Sequence, residues 1–266
     1  MNGMKAEGWK RPSLVQIRQE SVRILAQKGN RLLLIQAWML LLLSACLCGM
    51  LYTSIGLLAG ILEAWMPLQW LLPWLAGIPF CLFLVLPLFV GVMGLACAMS
   101  EGREVLLADV FAPFSSGRQY RRALGISFSI LWRFCGLLLL SALTWKGMLL
   151  VGDGSPIYEW IGGFLVFAEW TVGLLLAARV FPLLAISYLL PKASVREARR
   201  MTATFPSSVY HGTVFCIGQL PSFLLGLLTV GILLLADWLP RVSVSYIRYC
   251  KTVFESMIRL EENRNE

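Results

Sequence analysis

The sequence predicts an all-α, polytopic integral membrane protein with about six transmembrane helices and short amphipathic cytoplasmic helices. Three observations carry that expectation. Of 266 residues, 58% are hydrophobic and only 14% charged, and the mean hydropathy is +0.72. Ordinary globular domains are about a quarter charged, so a water-soluble fold does not fit. Three uncharged runs, Leu32–Leu62, Ala64–Ser100 and Met201–Ala236, contain 31, 37 and 36 residues; roughly 20 apolar helical residues cross a bilayer core. The cations are also gathered into a few segments. Seven Lys or Arg precede the first run, and four each lie in Arg103–Arg122, in Lys192–Arg200 and from Arg248 onward.

The first 30 residues are too polar at the start, and lack a compact apolar core with a cleavage site, to read as a cleavable signal peptide. Ser13-x-x-Gln16 has the capping-box spacing, and Leu14, Ile17, Val22, Ile24 and Leu25 cluster on one helical face. Gly29-Asn30 then ends that helix. Two readings of residues 1–30 stay open. One is a basic amphipathic helix lying on the anionic inner leaflet; the other is a cytoplasmic helix packed on its own protein.

The membrane domain is expected over residues 31–250, with spans near 33–59, 70–98, 124–149, 160–187, 209–228 and 231–250, and a cytoplasmic tail at 251–266. Excess positive charge stays on the cytoplasmic side. The N-terminus and the two basic loops are therefore placed inside, in the cell membrane, and the loops around Glu63 and Asp153–Glu159 outside. The run Met201–Ala236 would measure about 54 Å as one helix. Breaking it at Gly226–Gly231 gives two crossings and returns Arg248 and Lys251 to the cytoplasm. Five spans with an outside tail is the competing count, because Asp237, Pro240 and Arg241 fall in the sixth. Pro73, Pro79 and Pro87 interrupt the second span, as in ordinary membrane helices or in the broken helices of transporters. Gly56-Leu-Leu-Ala-Gly60 permits close helix contact. Trp65, Trp70, Trp74, Trp145 and Trp160 mark the outer boundary.

Two pairs of charges lie within the expected spans. Arg133 and Glu169 each sit about ten residues into consecutive antiparallel spans, near mid-bilayer, where a lone charge costs several kcal/mol, so they are expected to pair. That pair is either a structural clamp or the lining of an ion path. Asp237 and Arg241, four apart, share a helix face and can neutralise each other. The seven cysteines include no CxxC pair, which argues against a disulfide framework. A zinc site from Cys46-x-Cys48 with His211 is conceivable but disfavoured, because thiols two apart on a helix point away from each other. No metal and no cofactor are expected.

The inner loops carry ordered-looking motifs. Glu101-Gly-Arg103-Glu104 leads to Asp109, which can cap a short turn, while Val110, Phe111 and Phe114 are expected to press into the interface. Ser194-x-x-Glu197 is a second capping box, opening a basic helix that Pro206 stops. Arg196, Arg199 and Arg200 on it would face lipid phosphates or a partner's acids. With Glu101-Gly-Arg-Glu104, Asp109-Val-Phe111-x-x-Phe114, Ala193-Ser-Val-Arg-Glu-Ala198 and Leu228-Thr-Val-Gly231 in this order, the chain resembles a bacterial family of uncharacterised multi-pass membrane proteins, domain-of-unknown-function family 975, over residues 14 to 255. The resemblance implies a helical membrane protein and supports six spans; it supplies no activity. Ser115-Ser116 stands where that family usually has a Lys or Arg.

No HExxH pattern, nucleophile elbow or base beside Ser44, Ser127 or Ser141 is present, which argues against an enzyme. The sequence therefore predicts a non-enzymatic membrane scaffold or accessory protein. Its partners would be anionic inner-leaflet lipids and a membrane-protein partner or a second copy, with no nucleic acid. The alternative is a small-solute or ion transporter or channel using Arg133 and Glu169.

Overall fold

The computed structural model describes residues 13–27, 29–61, 79, 81–151, 156–178, 182–191, 193–204, 208–229 and 231–265. Among these residues the regular elements are all helical. Helices α1 (Leu14–Ala26) and α2 (Asn30–Ile61) come first, and a π turn (Cys81–Val85) leads into α3 (Leu86–Ser100). A 3-10 helix (Leu107–Phe114) follows, then the long α4 (Gly117–Val151), α5 (Pro156–Ala178), α6 (Leu183–Leu189) and α7 (Val195–Thr204). The chain continues through α8 (Ser208–Leu228), a second π turn (Leu234–Trp238) and α9 (Leu239–Asn265).

Local chemistry sets most of the boundaries. Ser13 accepts from the Gln16 N–H at the start of α1. At its end Gly29 takes φ +75°, and the Asn30 carboxamide donates to the Ile24 carbonyl at 2.9 Å. Each π turn stops two residues before a proline, Pro87 or Pro240. A proline ring clashes with the preceding turn and offers no N–H, so the ladder widens there. The chain reverses between α8 and the second π turn, where Gly231 takes φ +80°. Phe215 of α8 meets Tyr246 and Tyr249 of α9 at ring distances of 6.1 and 5.6 Å. The long run Met201–Ala236 is thus divided near the glycines that suggested a break.

The buried core sits where α3, α6 and α9 meet α1, the 3-10 helix and the first half of α2. Leu34, Val92, Leu95, Leu183, Ile186, Val244 and Ile247 are all within 1% of full burial. Covering each such side chain stabilises the fold by roughly 1.5–3 kcal/mol. Helix α1 packs along α9, with Ile17, Ser21 and Leu25 buried. The Ser21 and Ser245 hydroxyls bond at 2.8 Å, Arg248 pairs with Glu20, and Arg18 donates to the Gly218 carbonyl of α8. Of the two readings of the N-terminal segment, this contact matches the helix packed on its own protein. The buried face of α9, from Ser243 to Val253, lies against α1, α3 and α6.

The opposite character prevails along α4 and α5, which form an antiparallel hairpin. A Cβ on Gly162 would meet Met148, and one on Gly173 would meet Leu137, fixing the register. The outward faces are apolar: Trp160 is 82% exposed and Phe164 71%, and elsewhere Ile61 at the end of α2 is 76% and Leu228 at the end of α8 81%. Among the described residues two helices are long and apolar enough to cross a membrane, Asn30–Leu58 and Leu82–Ser100. The second of these is largely covered by the protein itself, and the first is not.

Candidate functional site

A cavity of about 470 Å³ opens between α3, the 3-10 helix, the start of α4 and α6. Glycines make room for its walls. A Cβ on Gly91 would stand 1.9 Å from the Val110 carbonyl oxygen, and one on Gly94 would stand 2.7 Å from the Tyr188 ring. The 3-10 helix and Tyr188 can therefore lie directly on the α3 backbone. The Tyr188 hydroxyl donates to the Val90 carbonyl, and burial pushes its pKa up.

Arg122 is the anchor of this region. Its Nη2 donates to the Ser187 and Leu190 carbonyls at 2.7 and 2.8 Å, and its Nη1 to that of Pro191. The guanidinium thus caps the carbonyl end of α6, where a cation is favoured. Burial lowers the Arg122 pKa, yet a guanidinium remains charged at neutral pH. Among the described residues it has no carboxylate within ion-pair distance. Gln119 also lines the cavity, its Oε1 accepting from the Ser115 hydroxyl at 2.5 Å.

Several residues singled out in the sequence meet here. Arg103, Glu104 and Asp109 line the cavity; Arg103 pairs with Glu101, and Asp109 accepts from the Leu106 N–H at 2.8 Å, opening the 3-10 helix. Phe111 is exposed and Phe114 half-buried, with rings 6.4 Å apart; Phe114 also meets Tyr120 at 5.5 Å. Val110 corrects an expectation. It is fully buried against α3 instead of facing the interface, because the bare Gly91 backbone lets this turn lie on α3; Leu106 is 70% exposed.

The second loop lies apart from the cavity. The Ser194 N–H donates to Glu197 at 2.7 Å and the Glu197 N–H to the Ser194 hydroxyl at 3.2 Å. The Ser194 N–H first, and the Ser194 hydroxyl second, hold the Glu197 carboxyl below its usual pKa by hydrogen bonding to it. Arg196 and Arg200 are exposed, and Arg199 donates to the Ser129 hydroxyl on α4.

Arg241 joins Asp237 at 2.5 Å, and Arg31 at the start of α2 reaches the same carboxylate at 3.2 Å. Arg31 also donates to the Ala236 carbonyl at 3.2 Å. Asp237 thus ties α2 to the second π turn. Glu169 on α5 accepts from two hydroxyls of α4, Ser141 at 3.1 Å and Thr144. The Arg133 side chain lies outside the described residues, as does that of His211. In the hairpin register residue 133 stands eight residues, about 12 Å along the α4 axis, from Ser141. The Arg133–Glu169 pair expected from the sequence therefore lies outside the described residues.

Sequence reasoning missed Arg122, Gln119, Tyr188 and the pair Gly91-x-x-Gly94. The glycines three apart on an apolar helix were the available signal. Among the described residues no cluster of three or more His, Cys, Asp or Glu side chains is arranged to hold a metal ion. No protein-family model matches this chain, and no curated protein or solved structure matches it either.

Proposed function

We propose that this chain is a multi-pass, non-enzymatic membrane scaffold or accessory protein. Its N-terminus, basic loops and tail lie on the cytoplasmic side of the cell membrane, and six spans return the tail inside. One observation carries the reading: the contrast between wide apolar faces on α2, α4, α5 and α8 and the arginines gathered about the packed core. Apolar patches of that extent are unfavourable in water and natural against lipid tails. Its resemblance to domain-of-unknown-function family 975 belongs to the same proposal. Bands of this kind also suit a second copy or another membrane protein as neighbour.

Topology reporters fused after Glu266 and within the 101–116 loop test the arrangement. Activity of the cytoplasmic reporter at both positions is the expected result; a tail reporter active only outside overturns six spans. Extraction from membranes by alkaline carbonate alone would overturn the membrane assignment itself. A second reading, solute or ion conduction, draws on Glu169 and its two hydroxyl partners. Under it, Glu169→Gln abolishes a flux in reconstituted vesicles while leaving protein yield unchanged.

A further inference from the structure

The cavity beside Arg122 has two chemically different parts. Val90, Leu95 and Ile126 give apolar lining, and Arg103, Glu104, Asp109, Gln119 and Arg122 give polar lining. A guanidinium carries five N–H donors; three of those on Arg122 are spent on the carbonyls of Ser187, Leu190 and Pro191 at and just beyond the end of α6, leaving the Nε–H and one Nη1–H. Those three bonds also hold the group rigidly, so little entropy is lost when an anion meets it. Gln119 lines the cavity, and its carboxamide carries two N–H donors. Asp109 spends one oxygen on the Leu106 N–H, and a carboxylate has further acceptor positions.

A bare anion would meet the cations but also two carboxylates. A purely cationic ligand would meet the reverse conflict. The lining suits a group that joins a phosphate to nearby hydroxyl or ammonium hydrogens and then to methylenes. We infer that this cavity binds the glycerophosphate- or phosphoethanolamine-type headgroup of an amphiphile. The phosphate meets Arg122, Gln119 and Arg103, and the hydroxyl or ammonium hydrogens meet Glu104 and Asp109. The first methylenes lie against Val90, Leu95 and Ile126. With a lipid as the source, the inference rests on the membrane reading above; the shared chemistry extends to a soluble phosphate ester.

The test uses the full chain, purified in detergent and offered equal amounts of phosphatidylglycerol, phosphatidylethanolamine and phosphatidylcholine. Native mass spectrometry reads the lipid retained. The first bound lipid should be of the glycerol or ethanolamine type, by about tenfold over choline, the scale of one charge-assisted hydrogen bond. Arg103→Glu and, separately, Ala112→Glu should each remove that preference. Neither change touches the Arg122 bonds to α6, and Ala112 lines the cavity from an exposed position, so either variant can stand if the other fails to fold. Equal retention of choline lipid, or a preference unchanged in a folded variant, overturns the inference. A parallel arm uses glycerol 3-phosphate alone: if it displaces the retained lipid, or binds with no lipid present and is lost in the variants, the chemistry stands and the source is a soluble ester. A chain that stayed dispersed without detergent yet still bound glycerol 3-phosphate would sink the membrane reading and keep this one.

Discussion

Helices α3 and α5 are both built from long apolar runs, yet they meet different surroundings. On α3, Leu88, Val92, Leu95 and Met99 are almost wholly covered by the 3-10 helix, α6, α9 and α2. On α5, Trp160, Phe164 and Phe167 face outward with most of their surface free. The physical difference lies in the small residues and the partners. Gly91 and Gly94 let backbone and an aromatic ring lie on α3, whereas on α5 Gly162 and Gly173 admit only side chains of α4, and Gly163 on another face has nothing within 4 Å of where its Cβ would be. Hydropathy reports that a helix avoids water. Whether protein or lipid does the covering depends on which neighbours can come close.

Substitutions at matched positions sharpen that contrast. Gly91→Ala should have the largest effect, because the added methyl would collide with the backbone oxygen of Val110; overpacking of this kind costs about 3 kcal/mol or more. Gly163→Ala should instead be neutral or raise stability by up to about 1 kcal/mol through helix propensity. Thermal unfolding of the two variants in detergent checks this, and equal destabilisation would erase the distinction between the two helices. Leu95→Ala, at 1% exposure, should cost about 3 kcal/mol by opening a cavity. Leu143→Ala on α4, at 61% exposure, should cost less than about 0.5 kcal/mol in the same assay.

A smaller effect is expected within the hairpin itself. Glu169→Leu removes the acceptor of both the Ser141 and Thr144 hydroxyls, and interhelical hydrogen bonds in membranes are worth about 0.6 kcal/mol on average. A modest loss of thermal stability, with unchanged hydrogen exchange in α3 and α9, would place the damage in the hairpin alone. Increased exchange in α9 would instead mean that the two regions are coupled.

The smallest effect concerns the second loop and depends on pH. Hydrogen bonds from the Ser194 N–H and hydroxyl region hold the Glu197 carboxyl below its ordinary value. A depressed folded-state pKa adds stability above the unfolded-state value, and that contribution disappears as pH falls through the folded-state pKa. Amide protection in α7 should therefore weaken as the pH is lowered from neutrality through the carboxylate range. Glu197→Gln should flatten that dependence. A wild-type profile as flat as the variant's would show that the capping box contributes nothing measurable to α7.

Much of the architecture was legible in the residues themselves. The all-helical character follows from long apolar runs. The caps at Ser13 and Ser194, the reversal near Gly231 and the Asp237–Arg241 pair follow from spacing, since each involves residues within one helical turn or a short reversal. The cavity was half legible. Arg103, Glu104 and Asp109 stood out as charges in a loop, and Arg122 as one more cation at its end, but the roles of Arg122 and Tyr188 did not show, because their partners lie on other elements.

What the sequence by itself determined was which segments avoid water, where the charges collect and where helices start and stop, since these are properties of neighbouring residues. What only the tertiary structure decided was the assignment of each apolar face. Val110 turned inward onto Gly91, α1 settled on α9, and Glu169 met hydroxyls of α4, because contacts between distant elements depend on register and on which backbone surfaces small side chains leave open.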